Sequence, residues 1–148
     1  MKYVVYLLLG LLLTGCGQSG NRKQATAGSD TAPQKREIIA VPSDSGTVKM
    51  NLTDGNGKLS VRKEPRQTVT LEFESGDYKK LEAQIVPEKP GNLRISQIVL
   101  PDGTMDGPFG QSIRYDIPSP GTVRLLIGES LMQGDPWSGE FTVSVTLR

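Results

Sequence analysis

The chain of 148 residues contains no histidine and only one cysteine. The missing histidine excludes Ser-His-Asp and Cys-His catalytic groups, as well as every metal site built on imidazole. A single cysteine cannot close a disulfide within the chain or form a thiolate metal cage. The sequence therefore predicts a protein that is not an enzyme, with no catalytic residues, no cofactor and no metal site.

The chain also lacks an excess of charge of either sign. The chain has 17 Lys and Arg against 16 Asp and Glu, which gives a formal net charge of +1. Proteins that bind nucleic acids present a field of Lys and Arg that neutralises phosphates, and no such field exists here. The length and the hydrophobic content of 36% are those of one ordinary globular domain. We therefore expect no nucleic-acid partner.

The N-terminus has the pattern of a secretory signal peptide. Lys2 supplies a positive charge, and residues 3–13 form an apolar run of 11 residues. This run is shorter than the roughly 20 residues of a membrane-spanning helix, but it suits the core of a signal peptide. Residues 13–16 read Leu-Thr-Gly-Cys and resemble the lipobox of bacterial lipoproteins. The sequence therefore predicts a signal peptide over 1–15 and a palmitate-bearing, lipidated Cys16.

The residues after Cys16 predict where the mature chain is held. Gly17 is not the Asp that lipoproteins retained at the inner membrane carry, so the resemblance implies the outer membrane, with the chain facing the periplasm. Residues 16–36 have no apolar period and are rich in Gly, Ser, Ala and Gln, which predicts a flexible tether. Such a tether reaches roughly 25 Å from the lipid anchor.

Residues 37–148 are predicted to form one all-β domain. Val69, Leu71 and Phe73 alternate with polar residues, and 139–148 alternate in the same way, which is typical of half-buried strands. In 93–100 the apolar phase slips between Ile95 and Ile98, which predicts either a β-bulge or a strand that is buried on both faces. Regularly spaced short strands favour an antiparallel β-sandwich or jelly roll of about eight strands. The candidate strands are 47–52, 58–63, 67–74, 80–86, 93–100, 112–117, 122–128 and 139–148, with a ninth candidate at 38–41.

The C-terminal part of the chain resembles a known family. The stretches 93–104, 112–128 and 139–148 are similar to the pre-peptidase C-terminal type of sandwich, in which a strand ending in Pro-Asp-Gly precedes the closing strands. The bacterial periplasmic inhibitors of invertebrate-type and goose-type lysozymes are similar to the same fold. The resemblance therefore implies a β-sandwich and a protein partner such as a lysozyme-type hydrolase.

The blocking loop of these inhibitors carries a Ser-Gly-x-Tyr motif just before the equivalent of strand 122–128. In this chain, residues 120–123 read Pro-Gly-Thr-Val, so the motif is absent from that turn. A Ser-Gly-Asp-Tyr run occurs at 75–78, between two other strands. The run at 75–78 is therefore not carried over as the blocking loop.

Three aromatic residues, Tyr78, Phe109 and Trp137, fall in connections between the predicted strands. Binding energy often concentrates in loop aromatics that a rigid scaffold presents. If the strands alternate in direction, these residues gather at one end of the sandwich, opposite the turn at Gly121, and form a partner-binding surface. The alternative is that Phe109 and Trp137 close the core as lids. The connections assigned to the aromatic end are 53–57, 75–79, 101–111 and 129–138, and those assigned to the other end are 64–66, 87–92 and 118–121.

Carboxylate pairs offer two further candidates. Glu72 and Glu74 lie two residues apart on one strand face, roughly 7 Å apart by strand geometry and within the range of glycosidase pairs. That face is the polar, solvated one, so we interpret the two residues as solubilising. Asp102 and Asp106 could flank a calcium ion, but turn formation explains such aspartates more simply.

The sequence leaves several functions open. The first is a lipid-anchored, non-catalytic binding protein, an inhibitor of a cell-wall-degrading enzyme such as lysozyme. The second is a structural or assembly lipoprotein that docks on an envelope complex. A carbohydrate-binding module is the third, and it rests only on loop aromatics and surface carboxylates.

Overall fold

The structure, a computed structural model, describes residues 38–148. The predicted signal peptide, the lipidation site Cys16 and the tether over 16–36 lie outside the described residues. The strands are β1 (Ile39–Ala40), β2 (Thr47–Lys49), β3 (Asn56–Lys63), β4 (Val69–Glu74), β5 (Lys80–Pro87), β6 (Leu93–Val99), β7 (Met105–Asp106), β8 (Ser112–Asp116), β9 (Thr122–Glu129) and β10 (Gly139–Leu147).

The ten strands form two five-stranded sheets. The first has the order β1-β3-β10-β5-β8 and the second the order β2-β4-β9-β6-β7. The predicted all-β sandwich is therefore confirmed. The pairing is antiparallel except at one edge of each sheet, where β1 runs parallel to β3 and β2 parallel to β4. Within residues 38–148, no helix is long or apolar enough to cross a membrane.

Alternation of apolar and polar residues creates the core between the sheets. In β4, Val69, Leu71 and Phe73 are buried as predicted, and β10 repeats the pattern. The predicted bulge in β6 is also confirmed, because the register with β9 shifts between Ile95 and Gln97. Each buried apolar side chain of this size stabilises the fold by roughly 2 kcal/mol relative to exposure.

The strand directions assign each connection to one of two ends. At the end where β4 meets β5, which we call the Tyr78 end, lie the connections 50–55, 75–79, 100–104 and 117–121. At the opposite end, which we call the Trp137 end, lie the connections 41–46, 64–68, 88–92 and 130–138.

The predicted distribution of connections is wrong from residue 101 onward. The stretch 101–111 was expected to be one connection at one end, but it contains β7, which pairs with β6. The chain then continues beside β6, where the Phe109 N–H donates to the Ile95 carbonyl at 3.0 Å. It therefore returns along the side of the sandwich before β8 begins. Because of this return, every later strand runs in the direction opposite to the one predicted. The connection 130–138 therefore lies at the end opposite to Tyr78.

Candidate functional site

The structure does not bring Tyr78, Phe109 and Trp137 together. Tyr78 lies at the Tyr78 end, whereas Trp137 lies at the opposite end and is 6% exposed. Phe109 lies at the side of the sandwich, half-buried against the core, with its ring edge-on to Tyr115 at a centroid distance of 6.2 Å. The prediction that these three residues cluster is therefore wrong. The chain returns along β6 after residue 106, which places Phe109 at the side of the sandwich and Trp137 at the end opposite to Tyr78. Partner binding by each residue singly stays a prediction.

Tyr78 instead shares its end with the turn at Gly121. Ser75, the first residue of the Ser-Gly-Asp-Tyr run, is fully buried. Its backbone N–H donates to the Gly121 carbonyl at 2.9 Å. Its hydroxyl also donates to that carbonyl at 3.0 Å and accepts from the Gly121 N–H at 3.1 Å. The run at 75–78 and the turn before β9 therefore form one hydrogen-bonded surface.

The Tyr78 ring is held against the neighbouring connection. A Cβ atom at Gly55 would lie 2.8 Å from the Leu147 carbonyl oxygen and 3.0 Å from Tyr78 Cζ, so the ring packs closely against the Gly55 backbone. Gly55 also has a φ of 74°, a conformation that glycine adopts without strain. The ring nevertheless stays 38% exposed. Tyr78 is thus an ordered aromatic side chain that remains accessible to a partner.

Charged groups surround Tyr78. Asp77 and Lys79 flank it in sequence and are exposed. The backbone N–H groups of Lys79 and Lys80 both donate to the carbonyl of Arg148 at 2.9 Å, which places the C-terminal residue beside this connection. An aromatic side chain inside a polar, charged rim is a common arrangement of protein interfaces.

Ion pairs continue from this end onto the outer face of the first sheet. Glu82 accepts from Arg114 at 2.9 Å and lies 3.7 Å from Arg148. The hydrogen bond and charge of Arg114 lower the pKa of Glu82 below its ordinary value. All three side chains are substantially exposed, so these pairs add little to stability. The surface next to Tyr78 therefore carries fixed charges of both signs.

The sequence analysis missed a buried ion pair at the Trp137 end. Lys63 and Glu129 form a salt bridge with side-chain exposures of 0% and 3%. The Lys63 ammonium also donates to the carbonyls of Glu64 at 2.9 Å and Trp137 at 3.0 Å. The signal was present, because Lys63 is in phase with buried Val61 along its strand. A charged residue at a core position usually has a buried partner.

The environment of Glu129 shifts its titration. Burial raises the pKa of this carboxyl, but hydrogen bonds from Lys63 and from the Arg66 N–H, with the charge of Lys63, lower it further than burial raises it. The net result is a pKa below the ordinary value. Glu129 is therefore held as an anion, with its oxygens shared between the ammonium and the Arg66 N–H at 2.5 Å.

Trp137 belongs to the core. Its ring meets Phe141 edge-on at a centroid distance of 6.3 Å and lies beneath Gly91. Among the described residues, its buried indole N–H finds no hydrogen-bond partner. Beside it, the connections 88–92 and 130–138 enclose an open hollow of about 500 Å³. The position of Trp137 therefore fits the alternative interpretation, in which the ring closes the core, better than that of an exposed side chain that binds a partner.

The carboxylate candidates are engaged in local contacts. Glu72 pairs with Arg124 at 2.7 Å, and Glu74 accepts from the Thr122 hydroxyl at 2.5 Å, both on the outward face as predicted. Asp102 accepts from the Thr104 N–H at 2.9 Å, and this bond lowers its pKa.

Asp106 accepts from the Tyr115 hydroxyl at 3.0 Å, which raises the pKa of that phenol. Within residues 38–148, no three Asp, Glu, His or Cys side chains converge as metal ligands. Asp102 therefore stabilises the turn before β7, and Asp106 links β7 to Tyr115 on the edge strand β8.

Comparison with known proteins identifies the fold. No protein-family model and no curated protein sequence matches the chain. Among solved structures, it is similar to PliG of Aeromonas hydrophila, a periplasmic inhibitor of g-type lysozyme. The TM-score is 0.55 at 9% identity, over 75% of this chain and 100% of that one.

Two further structures are similar at lower scores. PliG of Salmonella Typhimurium has a TM-score of 0.48 at 14% identity, over 69% of this chain and 98% of its own. The pre-peptidase C-terminal domain of a Bacillus anthracis collagenase has a TM-score of 0.44 at 13% identity, over 74% and 97%. The similarity to the Aeromonas hydrophila structure confirms the resemblance predicted from the sequence as one of fold: the chain has the β-sandwich fold of a periplasmic lysozyme inhibitor.

Proposed function

We propose that this chain is a non-catalytic binding protein that inhibits a cell-wall-degrading enzyme such as lysozyme. The observation that carries the proposal is the hydrogen-bonded contact between Ser75 and Gly121. It sets the Ser-Gly-Asp-Tyr run beside the turn where the inhibitor families, by resemblance, carry their Ser-Gly-x-Tyr blocking loop. In this chain the same residue types would act from the neighbouring connection.

The contacts at this end suit occlusion of an enzyme cleft. Ser75 is buried and hydrogen-bonded to the turn, while the Tyr78 ring lies against the Gly55 backbone and stays partly exposed. A preordered aromatic side chain binds at low cost in conformational entropy. Glycosidases that cleave cell-wall glycans use a pair of carboxylates, and of the two exposed charges that flank Tyr78, Lys79 rather than Asp77 would complement such a cleft.

Anchoring is the second part of the proposal. Residues 1–15 would be removed as a signal peptide, Cys16 would be acylated, and 16–36 would tether the domain 37–148 to the outer membrane on its periplasmic side. The support is the coincidence of an apolar run, small residues and the only cysteine of the chain. Radiolabelled palmitate should label the wild-type protein and leave Cys16→Ala unlabelled, and an unlabelled wild type would contradict anchoring.

A lysis assay tests inhibition. The purified chain is mixed with goose-type, invertebrate-type or chicken-type lysozyme, and the clearing of a peptidoglycan suspension is followed. We expect slower clearing with at least one of these enzymes. If the chain were instead an assembly lipoprotein, all rates would stay unchanged and the protein would co-purify with envelope components.

A further inference from the structure

The connection between β9 and β10 carries two exposed large apolar side chains. Met132 is 98% exposed and Leu131 is 61% exposed. They are adjacent in sequence, so together they form a small apolar tip. Burial of these two side chains against an apolar environment would recover roughly 25 cal/mol for each Å² of apolar surface removed from water.

This apolar tip is presented on a rigid base. The Lys63 ammonium pairs with Glu129 and donates to the Trp137 carbonyl, so one buried cation holds both ends of the connection. The Asn92 amide donates to the carbonyls of Ser130 at 2.8 Å and Asp135 at 3.3 Å, which closes the connection a second time. A fixed loop that exposes apolar residues is suited to inserting them into something apolar.

The chain enters the described domain with exposed apolar residues as well. Ile38 is 81% exposed and Val41 is 75% exposed, although they flank the edge strand β1. Since β1 runs parallel to β3, it leads toward the Trp137 end, so Val41 and the apolar tip lie at the same end. The 37 residues before this point include the predicted lipidation site at Cys16.

We propose that the Trp137 end rests on the lipid surface that holds the anchor, with Leu131 and Met132 inserted at the boundary between headgroups and acyl chains. This inference rests on the proposed lipid anchoring. The tether confines the domain near the bilayer, so two apolar side chains and Val41 suffice to set its orientation. In this orientation the Tyr78 end points away from the membrane, toward enzymes that enter the periplasm.

The charges at this end indicate how the contact is made. Its exposed residues include the cations Arg66 and Lys89 and the anions Glu64, Glu88 and Asp135. Anions are at least as numerous as cations, so attraction to anionic headgroups does not drive docking. Burial of apolar side chains drives it, and the contact should therefore depend weakly on salt.

Single-site fluorescent labels test this orientation. Met132→Cys and, as the matched control at the opposite end, Asp77→Cys are produced as full-length lipoproteins. Because Cys16 is acylated, the introduced thiol is the only one free to react with an environment-sensitive fluorophore. Each labelled protein is reconstituted into phosphatidylethanolamine vesicles with a minor share of phosphatidylglycerol, with and without spin-labelled lipid, and flotation reports anchoring.

The expected result is a blue-shifted emission at position 132 that spin-labelled lipid quenches, and an aqueous emission at position 77. In a second variant, Leu131→Ser lowers the quenching at position 132 without affecting flotation. Aqueous emission at both positions in floating protein overturns the docking proposal and leaves anchoring intact. An emission at position 132 that shifts only when lysozyme is added also overturns it, because the tip then binds protein. Protein that does not float overturns both proposals.

Discussion

Ser75 and Gly121, 46 residues apart in the chain, are joined by a backbone hydrogen bond of 2.9 Å and by two bonds through the Ser75 hydroxyl. This contact fastens the connection between β4 and β5 to the turn before β9. It also positions Tyr78 at the surface that we propose binds a lysozyme.

Ser75→Ala should loosen this surface. The substitution removes the partner of the Gly121 N–H inside a buried contact, which costs about 1–3 kcal/mol in the free energy of unfolding. Inhibition should fall by more than the loss of folded protein accounts for, since the connection that carries Tyr78 loses two of its three hydrogen bonds to Gly121. Urea unfolding and the lysis assay measure the two effects. Ser112→Ala, at an exposed position on β8, is the control and should change neither.

Lys63→Met should destabilise the domain by about 3–5 kcal/mol, because it leaves the Glu129 carboxylate buried without its cation. The double variant Lys63→Met/Glu129→Leu should recover much of that loss, since no unpaired charge remains. Denaturant unfolding of both variants measures this coupling. Equal instability of the single and double variants would show that the pair itself is not the cause.

The same pair predicts a pH dependence of stability. The folded-state pKa of Glu129 lies below its ordinary value of 4.5, so the unfolded state binds the proton more readily. The contribution of Glu129 is therefore complete above pH 4.5 and is lost as the pH falls toward the folded-state pKa. Unfolding experiments across this acidic range should show a steeper decline for wild type than for Glu129→Gln. Parallel curves would contradict the assignment.

Gly91→Ala should disturb the packing of Trp137. The added Cβ atom would lie 2.1 Å from Trp137 Cδ1, so the ring or the connection 88–92 must shift. We expect a loss of about 1–3 kcal/mol in unfolding free energy, typical of overpacking. The emission of Trp137, the only tryptophan, should change with it. Gly110→Ala is the control, because its Cβ atom would meet nothing within 4 Å.

Trp137→Ala should now behave as a core truncation. The ring is 6% exposed and packs on Phe141, so its removal should cost about 3–5 kcal/mol of stability. An exposed, partner-binding ring, as the sequence predicted, would cost less when it is removed. Calorimetric unfolding distinguishes the two, and a variant with a nearly unchanged melting temperature would restore the exposed interpretation.

The local pattern of the sequence predicted the strands well and the topology less well. Alternation in β4 and β10 reports directly which side chains face the core, so these strands and their buried residues could be predicted. β7 has only two residues, too few for any period, and its omission reversed the assignment of Trp137 to an end. Periodicity also carries no information on pairing, so the parallel placement of β1 and β2 was unforeseen.

In the candidate site, too, local features could be predicted from the sequence and long-range contacts could not. The Ser-Gly-Asp-Tyr run was visible in the sequence, but its position beside Gly121 depends on which strands are neighbours, a long-range property of the fold. Lys63 and Glu129 could have been found, because each interrupts an apolar phase at a strand end. That they pair with each other could not be predicted, because the pairing depends on β3 and β9 ending at the same end of the sandwich.

The inhibition constant of Tyr78→Ala tests the central claim most directly. It should be measured against the lysozyme that wild type inhibits, beside Val86→Ala, an exposed apolar control on the outer face of β5. The account predicts that Tyr78→Ala raises the constant at least about 30-fold, as expected of an interface aromatic worth roughly 2 kcal/mol, while Val86→Ala leaves it unchanged. Equal inhibition by wild type and a folded Tyr78→Ala protein would contradict the account.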